Sequence, residues 1–194
     1  MSLESWRLRR SATGLLVVDI QERLLPAMFE RERVVAEALR LIRGARVLGL
    51  PVFATEQYRK GLGATVPEVA EAIAAFAPFE KLTFSAGGLP ELLNALRAQG
   101  TTDVLICGIE AHVCVCQTAL DLRKAGFRSF VVADAVSSRT SENWHLGLER
   151  MGQGGVSMAA RQTTTAFRQT SVSRLLNERM LCASTSYWVS VRFH

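Results

Sequence analysis

The apolar positions along the chain alternate between two kinds of pattern. Residues 15–20 (LLVVDI) form a nearly unbroken apolar run interrupted only by an acid. That is the pattern of a strand covered on both faces in a parallel sheet, and it puts Asp19 at the strand's carboxyl end. Val34, Val35, Ala38, Leu39, Leu41, Ile42 and Ala45 then recur on one helical stripe, stopped by Gly49 and Pro51. A second strand is predicted over 51–55, a glycine-punctuated turn over 60–63 and an Ala-rich helix over 67–77. The stretch 79–86 follows, with Lys81 at a strand end. Next come a helix over 90–99 capped by Gly100 and a third buried strand over 103–107 (DVLIC). A helix over 115–125 closed by Gly126, a strand over 129–133 and a helix from Ser141 with Trp144, Leu148 and Met151 on one side lead to a fifth strand at 156–158.

This βαβα alternation with short connections predicts an α/β fold, a three-layer α/β/α sandwich around a mostly parallel, Rossmann-like sheet. Ligands of such sheets bind beyond the carboxyl ends of the strands. With 194 residues, 48% of them apolar and 21% charged, the chain is long enough for one full core and too apolar for disorder. No apolar run reaches the roughly 18 residues of a membrane span, and residues 1–11 lack an apolar leader segment, so the expected address is cytoplasmic, with no membrane partner.

Charge and cysteine content narrow the chemistry further. The net charge of +5 is concentrated at the end: residues 159–194 hold five Arg and one acid, Glu178, leaving the rest nearly neutral. Without a basic stripe interleaved with aromatics in the main part, no nucleic-acid partner is expected. Four cysteines (Cys107, Cys114, Cys116, Cys182) without a CxxC pair fit reduced thiols, not a disulfide framework or structural zinc.

Cys114 falls where a buried strand passes into a helix, a position where the helix dipole and free amides favour a thiolate and stabilise an oxyanion. A buried, inert cysteine fits the same position equally well. Asp19 and Lys81 close two other predicted strands, and parallel strand ends converge. Together they offer a general base for the thiol and a cation that tunes it. Cys107 and Cys116 read as packing residues. His112 stands two residues from Cys114, a spacing that does not face it on a helix, and reads as structural or pocket-lining.

Four ordered segments, LLVVDIQ at 15–21, TEQY with KGLG at 55–63, EKLTFSA at 80–86 and GIEAHVCVCQTALD at 108–121, together resemble the isochorismatase-like cysteine hydrolases, in particular the isochorismatase-domain hydrolases of unassigned substrate. The resemblance covers about residues 12–158. It implies Asp19, Lys81 and Cys114 as catalytic triad, a cis peptide at Ile109–Glu110, and the backbone amides of Glu110 and Cys114 as oxyanion hole. Glu56, Tyr58 and Phe84 flank the expected mouth and, with Gln21 and His112, are the substrate-binding candidates, although aromatics at strand ends are at least as often core residues. Nicotinamidases of this family hold a metal through an Asp and a His after the second strand. Gln57 and Arg59 stand there instead, so neither metal nor cofactor is expected.

The activity implied is hydrolysis of a small amide-like or ester carbonyl through a thioester, by a homo-oligomer (a dimer or larger) acting on a small molecule. The alternative is a catalytically idle relative serving as an oligomeric binding or scaffold protein. The expected organisation is a hydrolase domain over 1–158 and a divergent segment over 159–194, with five Ser, five Thr and neither Gly nor Pro, packed on the domain or on a neighbouring subunit.

Overall fold

The computed structural model describes residues 7–160; the expectations for the rest of the C-terminal segment and for Cys182 lie outside the described residues. Six parallel strands form one sheet: β1 (Thr13–Val18), β2 (Val52–Gln57), β3 (Phe79–Lys81), β4 (Asp103–Ile109), β5 (Arg128–Ser137) and β6 (Ser157–Ala159), in the order β3-β2-β1-β4-β5-β6. β1 lies between β2 and β4, with Val18 opposite Thr55 on one side and Gly108 on the other. Every residue of β1 and of β4 is buried, which is why both read as unbroken apolar runs.

Alternate residues of the central strands feed two cores. Leu16, Val18, Val104 and Ile106 face one side, covered by Leu92 and Leu96 of α4 (Pro90–Ala98), Ala119 and Leu122 of α5 (Cys116–Lys124) and Met151 of α6 (Ser141–Gln153). Leu15, Val17, Leu105 and Cys107 face the other, against Ala38, Ile42 and Ala45 of α1 (Arg31–Leu48) and Val69 of α3 (Pro67–Ala72). The short α2 (Arg59–Leu62) sits between β2 and α3. The result is the three-layer sandwich.

The structure departs from the sequence reading in particular places. Phe79–Lys81 is a sixth strand, paired with β2 at the sheet edge. The Ala-rich helix stops at Ala72, and Ala75 adopts a left-handed conformation. β5 runs on to Ser137 past an irregularity in its register with β4, and β6 ends at Ala159. Helix α5 starts at Cys116, preceded by a π-helical turn over Ala111–Val115 that carries Cys114.

Candidate active site

The carboxyl ends of β1, β3 and β4 bring Asp19, Lys81 and Cys114 into one buried cluster. Asp19 leaves β1 in a left-handed conformation (φ 51°), which swings its side chain out of the strand's alternation. Its Oδ1 accepts from the Thr55 hydroxyl (2.7 Å) and its Oδ2 from Lys81 Nζ (2.6 Å). Lys81 also donates to the carbonyls of Phe84 (2.9 Å) and Thr83 (3.3 Å). Three ammonium protons thus meet three acceptors, and the side chain has no solvent exposure. The Cys114 thiol, itself buried, interacts with the Asp19 carboxylate and with the Glu110 backbone.

Close approach of β1 and β4 makes this convergence possible. Gly108 has φ +126°, and a Cβ on it would lie 2.0 Å from the Val18 carbonyl oxygen. On the far side of the turn, Gly147 of α6 lies so near the backbone of Ala111 and His112 that a Cβ would come within 2.8 Å of both. The Ile109–Glu110 peptide between β4 and the turn is cis. The Glu110 carbonyl accepts from the amides of Val113 and Val115, both at 3.1 Å, so the π register passes over Cys114.

Burial raises the pKa of Asp19 above the ordinary carboxylate value, opposed by Lys81 and by the hydroxyl of Thr55. The Cys114 thiol is pushed up to about 12, by burial first and by the negative Asp19 second, with Lys81 pulling the other way. The resting group is therefore a thiol. This corrects the expectation that the helix end lowers its pKa: desolvation and an adjacent carboxylate outweigh the dipole of a helix that begins only at Cys116. Cys107, sealed inside β4, is likewise pushed up to about 12.

The substrate-binding candidates separate. Gln21 is fully buried and its amide is spent on backbone: Nε2 donates to the carbonyls of Gly63 (2.7 Å) and Gln57 (3.0 Å), and Oε1 accepts from the Gln57 amide (2.8 Å). It clamps the loop after β2 and has no polar atom left for substrate. Glu56, also fully buried, accepts from the Thr65 amide (2.7 Å) and pairs with Arg59 at 3.3 Å, so it backs the site without lining it. His112 is tied through Nδ1 to the Ser138 hydroxyl (2.9 Å). Tyr58 and Phe84 are each about half exposed, and Phe84 reaches the cluster through its carbonyl.

Tyr58 lines a cleft of about 330 Å3 together with Arg59, Lys60, Glu80, Lys81 and Leu82. The sequence reading missed Thr55 and the carbonyls that hold Lys81; a hydroxyl closing the predicted second strand at 51–55 was the available signal for the first. Among the described residues no group of three or more His, Cys, Asp or Glu side chains is placed to hold a metal ion. No helix there is long and apolar enough to cross a membrane.

A doubly covered parallel sheet with a thiol, a carboxylate and an ammonium gathered at its carboxyl edge defines the class, a three-layer α/β/α protein. The chain belongs to the isochorismatase family, a family of hydrolases: residues 13–166 match the isochorismatase domain. It is 41% identical over 152 residues to isochorismatase domain-containing protein 2 of Danio rerio, covering 77% of this chain and 75% of that one. It is 44% identical over 139 residues to isochorismatase domain-containing protein 1 of the same organism, covering 71% of this chain and 48%, about half, of that relative. The structure of the MAR1 ribonuclease of Caenorhabditis elegans superposes with a TM-score of 0.80 at 31% identity, covering 97% of this chain and 99% of that one.

Proposed function

We propose that the protein is a metal-independent cysteine hydrolase that opens a small amide-like or ester carbonyl through a thioester. The observation that carries this reading is the buried cluster in which the Asp19 carboxylate is ion-paired with Lys81 and interacts with the Cys114 thiol. In the first half-reaction Asp19 takes the thiol proton while Sγ bonds to the carbonyl carbon, and the negative oxygen is received by the backbone amides of Glu110 and Cys114. Collapse breaks the bond to the leaving amine or alcohol, which receives the proton from Asp19. Water then attacks the thioester, giving one proton to Asp19; the acid leaves and that proton returns to sulfur.

A resting thiol suits this scheme. The nucleophile forms only when the base removes its proton, and a carboxylate whose pKa is raised by burial is a stronger base than a free one. Lys81 compensates the charge of Asp19 and fixes its orientation, a positioning role. The setting we expect is a cytoplasmic homo-oligomer.

The test is hydrolysis of a panel of small primary amides and esters by the wild type and by Cys114→Ala, with mass spectrometry of the quenched enzyme. A Cys114-linked acyl adduct and a loss of three or more orders of magnitude in kcat are expected, as for removal of a covalent nucleophile. Hydrolysis undiminished in Cys114→Ala, or activity abolished by a chelator and restored by zinc, overturns the reading. So does cleavage of RNA, the substrate that the name of the Caenorhabditis elegans neighbour suggests, in place of amide hydrolysis.

A further inference from the structure

We infer that Arg139, on the connection from β5 to α6, is a positioning residue for the oxyanion: it holds Glu110, whose backbone amide meets the reacting oxygen, and neutralises the carboxylate of that same residue. This rests on the hydrolase reading for turnover, though not for the addition of a carbonyl to Cys114.

Glu110 joins β4 to the turn that carries Cys114, and its side chain is only 12% exposed. Arg139 Nε donates to its Oε1 at 3.3 Å and lies 3.3 Å from its Oε2, a buried oxygen with no hydrogen-bond partner of its own among the described residues. Among those residues this is the carboxylate's one ion pair. The carbonyl of Glu110 is taken by the amides of Val113 and Val115. The residue is thus tied at its carbonyl by the turn and at its carboxylate by Arg139, and its amide is aimed between the two.

The segment that carries Arg139 is itself fixed. Ser138 Oγ accepts from the His112 amide (3.4 Å) and stands 2.9 Å from His112 Nδ1, while the Ser138 carbonyl accepts from the Phe29 amide (2.8 Å). The Ser137 hydroxyl donates to the Phe29 carbonyl, and the Thr140 hydroxyl caps α6 by accepting from the Asn143 amide (3.1 Å). From one anchored connection, Ser138 and Arg139 grip residues 112 and 110, on either side of Ala111.

Charge adds to this hold. A carboxylate so little exposed, on the residue whose amide meets the oxyanion, opposes the negative charge that develops there unless a cation cancels it. Arg139 is itself about half exposed, so the pair adds little to folding stability. Its electrostatic effect falls instead on the reacting oxygen.

The test compares the wild type with Arg139→Gln, Arg139→Lys and the double variant Glu110→Gln/Arg139→Gln. On the amide or ester that the wild type turns over fastest, Arg139→Gln should lower kcat by about ten- to a hundredfold with KM little changed, the range for a displaced oxyanion donor. Its melting temperature should move by only about 2–4 °C. Arg139→Lys should keep most of the activity, and the double variant should recover much of the loss because no unpaired carboxylate remains, a rescue that a merely structural contact does not give. A second readout needs no turnover: reversible addition of butyraldehyde to Cys114, measured as protection of that residue from iodoacetamide. Sγ bonds to the aldehyde carbon and the thiol proton passes to the carbonyl oxygen, which then stands where the oxyanion forms. Arg139→Gln should weaken this adduct about tenfold. An Arg139-dependent adduct without hydrolysis supports the inference and sinks the hydrolase reading. Cys114-dependent hydrolysis, or an adduct, that is indifferent to Arg139→Gln overturns the inference and leaves the reaction standing. A wild type that neither hydrolyses the panel nor forms the adduct overturns both.

Discussion

Lys81 and Asp19 form a 2.6 Å ion pair in which neither side chain has any solvent exposure. Removing one partner of such a pair leaves a bare charge in the interior and costs about 3–5 kcal/mol, whereas replacing both by neutral groups of similar size is nearly neutral. Urea unfolding should therefore find Lys81→Met strongly destabilised and the double variant Asp19→Asn/Lys81→Met restored to most of the wild-type stability, with hydrolysis absent from both. The single variant's deficit should shrink as pH falls. Without the cation, Asp19 keeps a pKa raised by burial, so the stability lost is lost as pH rises through that value. Equal destabilisation of the single and double variants would show that the pair is not the source.

The thiol of Cys114 is predicted to react slowly with iodoacetamide at neutral pH. With its pKa pushed up to about 12, the thiolate fraction rises about tenfold with each pH unit across the neutral and alkaline range. Asp19→Asn removes the negative neighbour and leaves Lys81, so alkylation of Cys114 at pH 7.5 should speed up by about tenfold or more while turnover disappears. The measurement is peptide-resolved mass spectrometry against pH. Rapid wild-type labelling at pH 6, or an unchanged rate in Asp19→Asn, contradicts this electrostatic account.

Two glycines are predicted to separate folding from chemistry. Gly108→Ala puts a methyl 2.0 Å from the Val18 carbonyl oxygen at φ +126°, a clash with rigid backbone that should cost about 3 kcal/mol or more. Gly147→Ala meets the turn of Ala111 and His112 at 2.8 Å, and should shift α6 away from the nucleophile at a cost of about 1–3 kcal/mol. The expected signature of Gly147→Ala is a fall in kcat larger than its change in melting temperature explains. Full activity in Gly147→Ala would mean that α6 does not set the position of Cys114.

Much of the sheet was legible because β1 and β4 are buried on both faces and so carry uninterrupted apolar runs, whose carboxyl ends also located Asp19 and the turn of Cys114. The edge strand Phe79–Lys81 was legible only as a strand end at Lys81, without its bounds, because three residues with one buried position carry no periodicity. Gln21 and Glu56 looked like pocket residues in the motifs. Polar side chains near a strand end serve a ligand or the backbone of a neighbouring loop, and only the positions of Gln57, Gly63 and Thr65 decide which.

By itself the sequence determined the family, the order of strands and helices and the three residue types gathered at the sheet's edge. These follow from local pattern and from residue identity at fixed spacings. The tertiary structure decided the protonation of the thiol and the partners that saturate Lys81. Each of those depends on desolvation and on groups distant in the chain: Thr55 and Lys81 are 36 and 62 residues from Asp19, and their effect on it exists only where the strand ends meet.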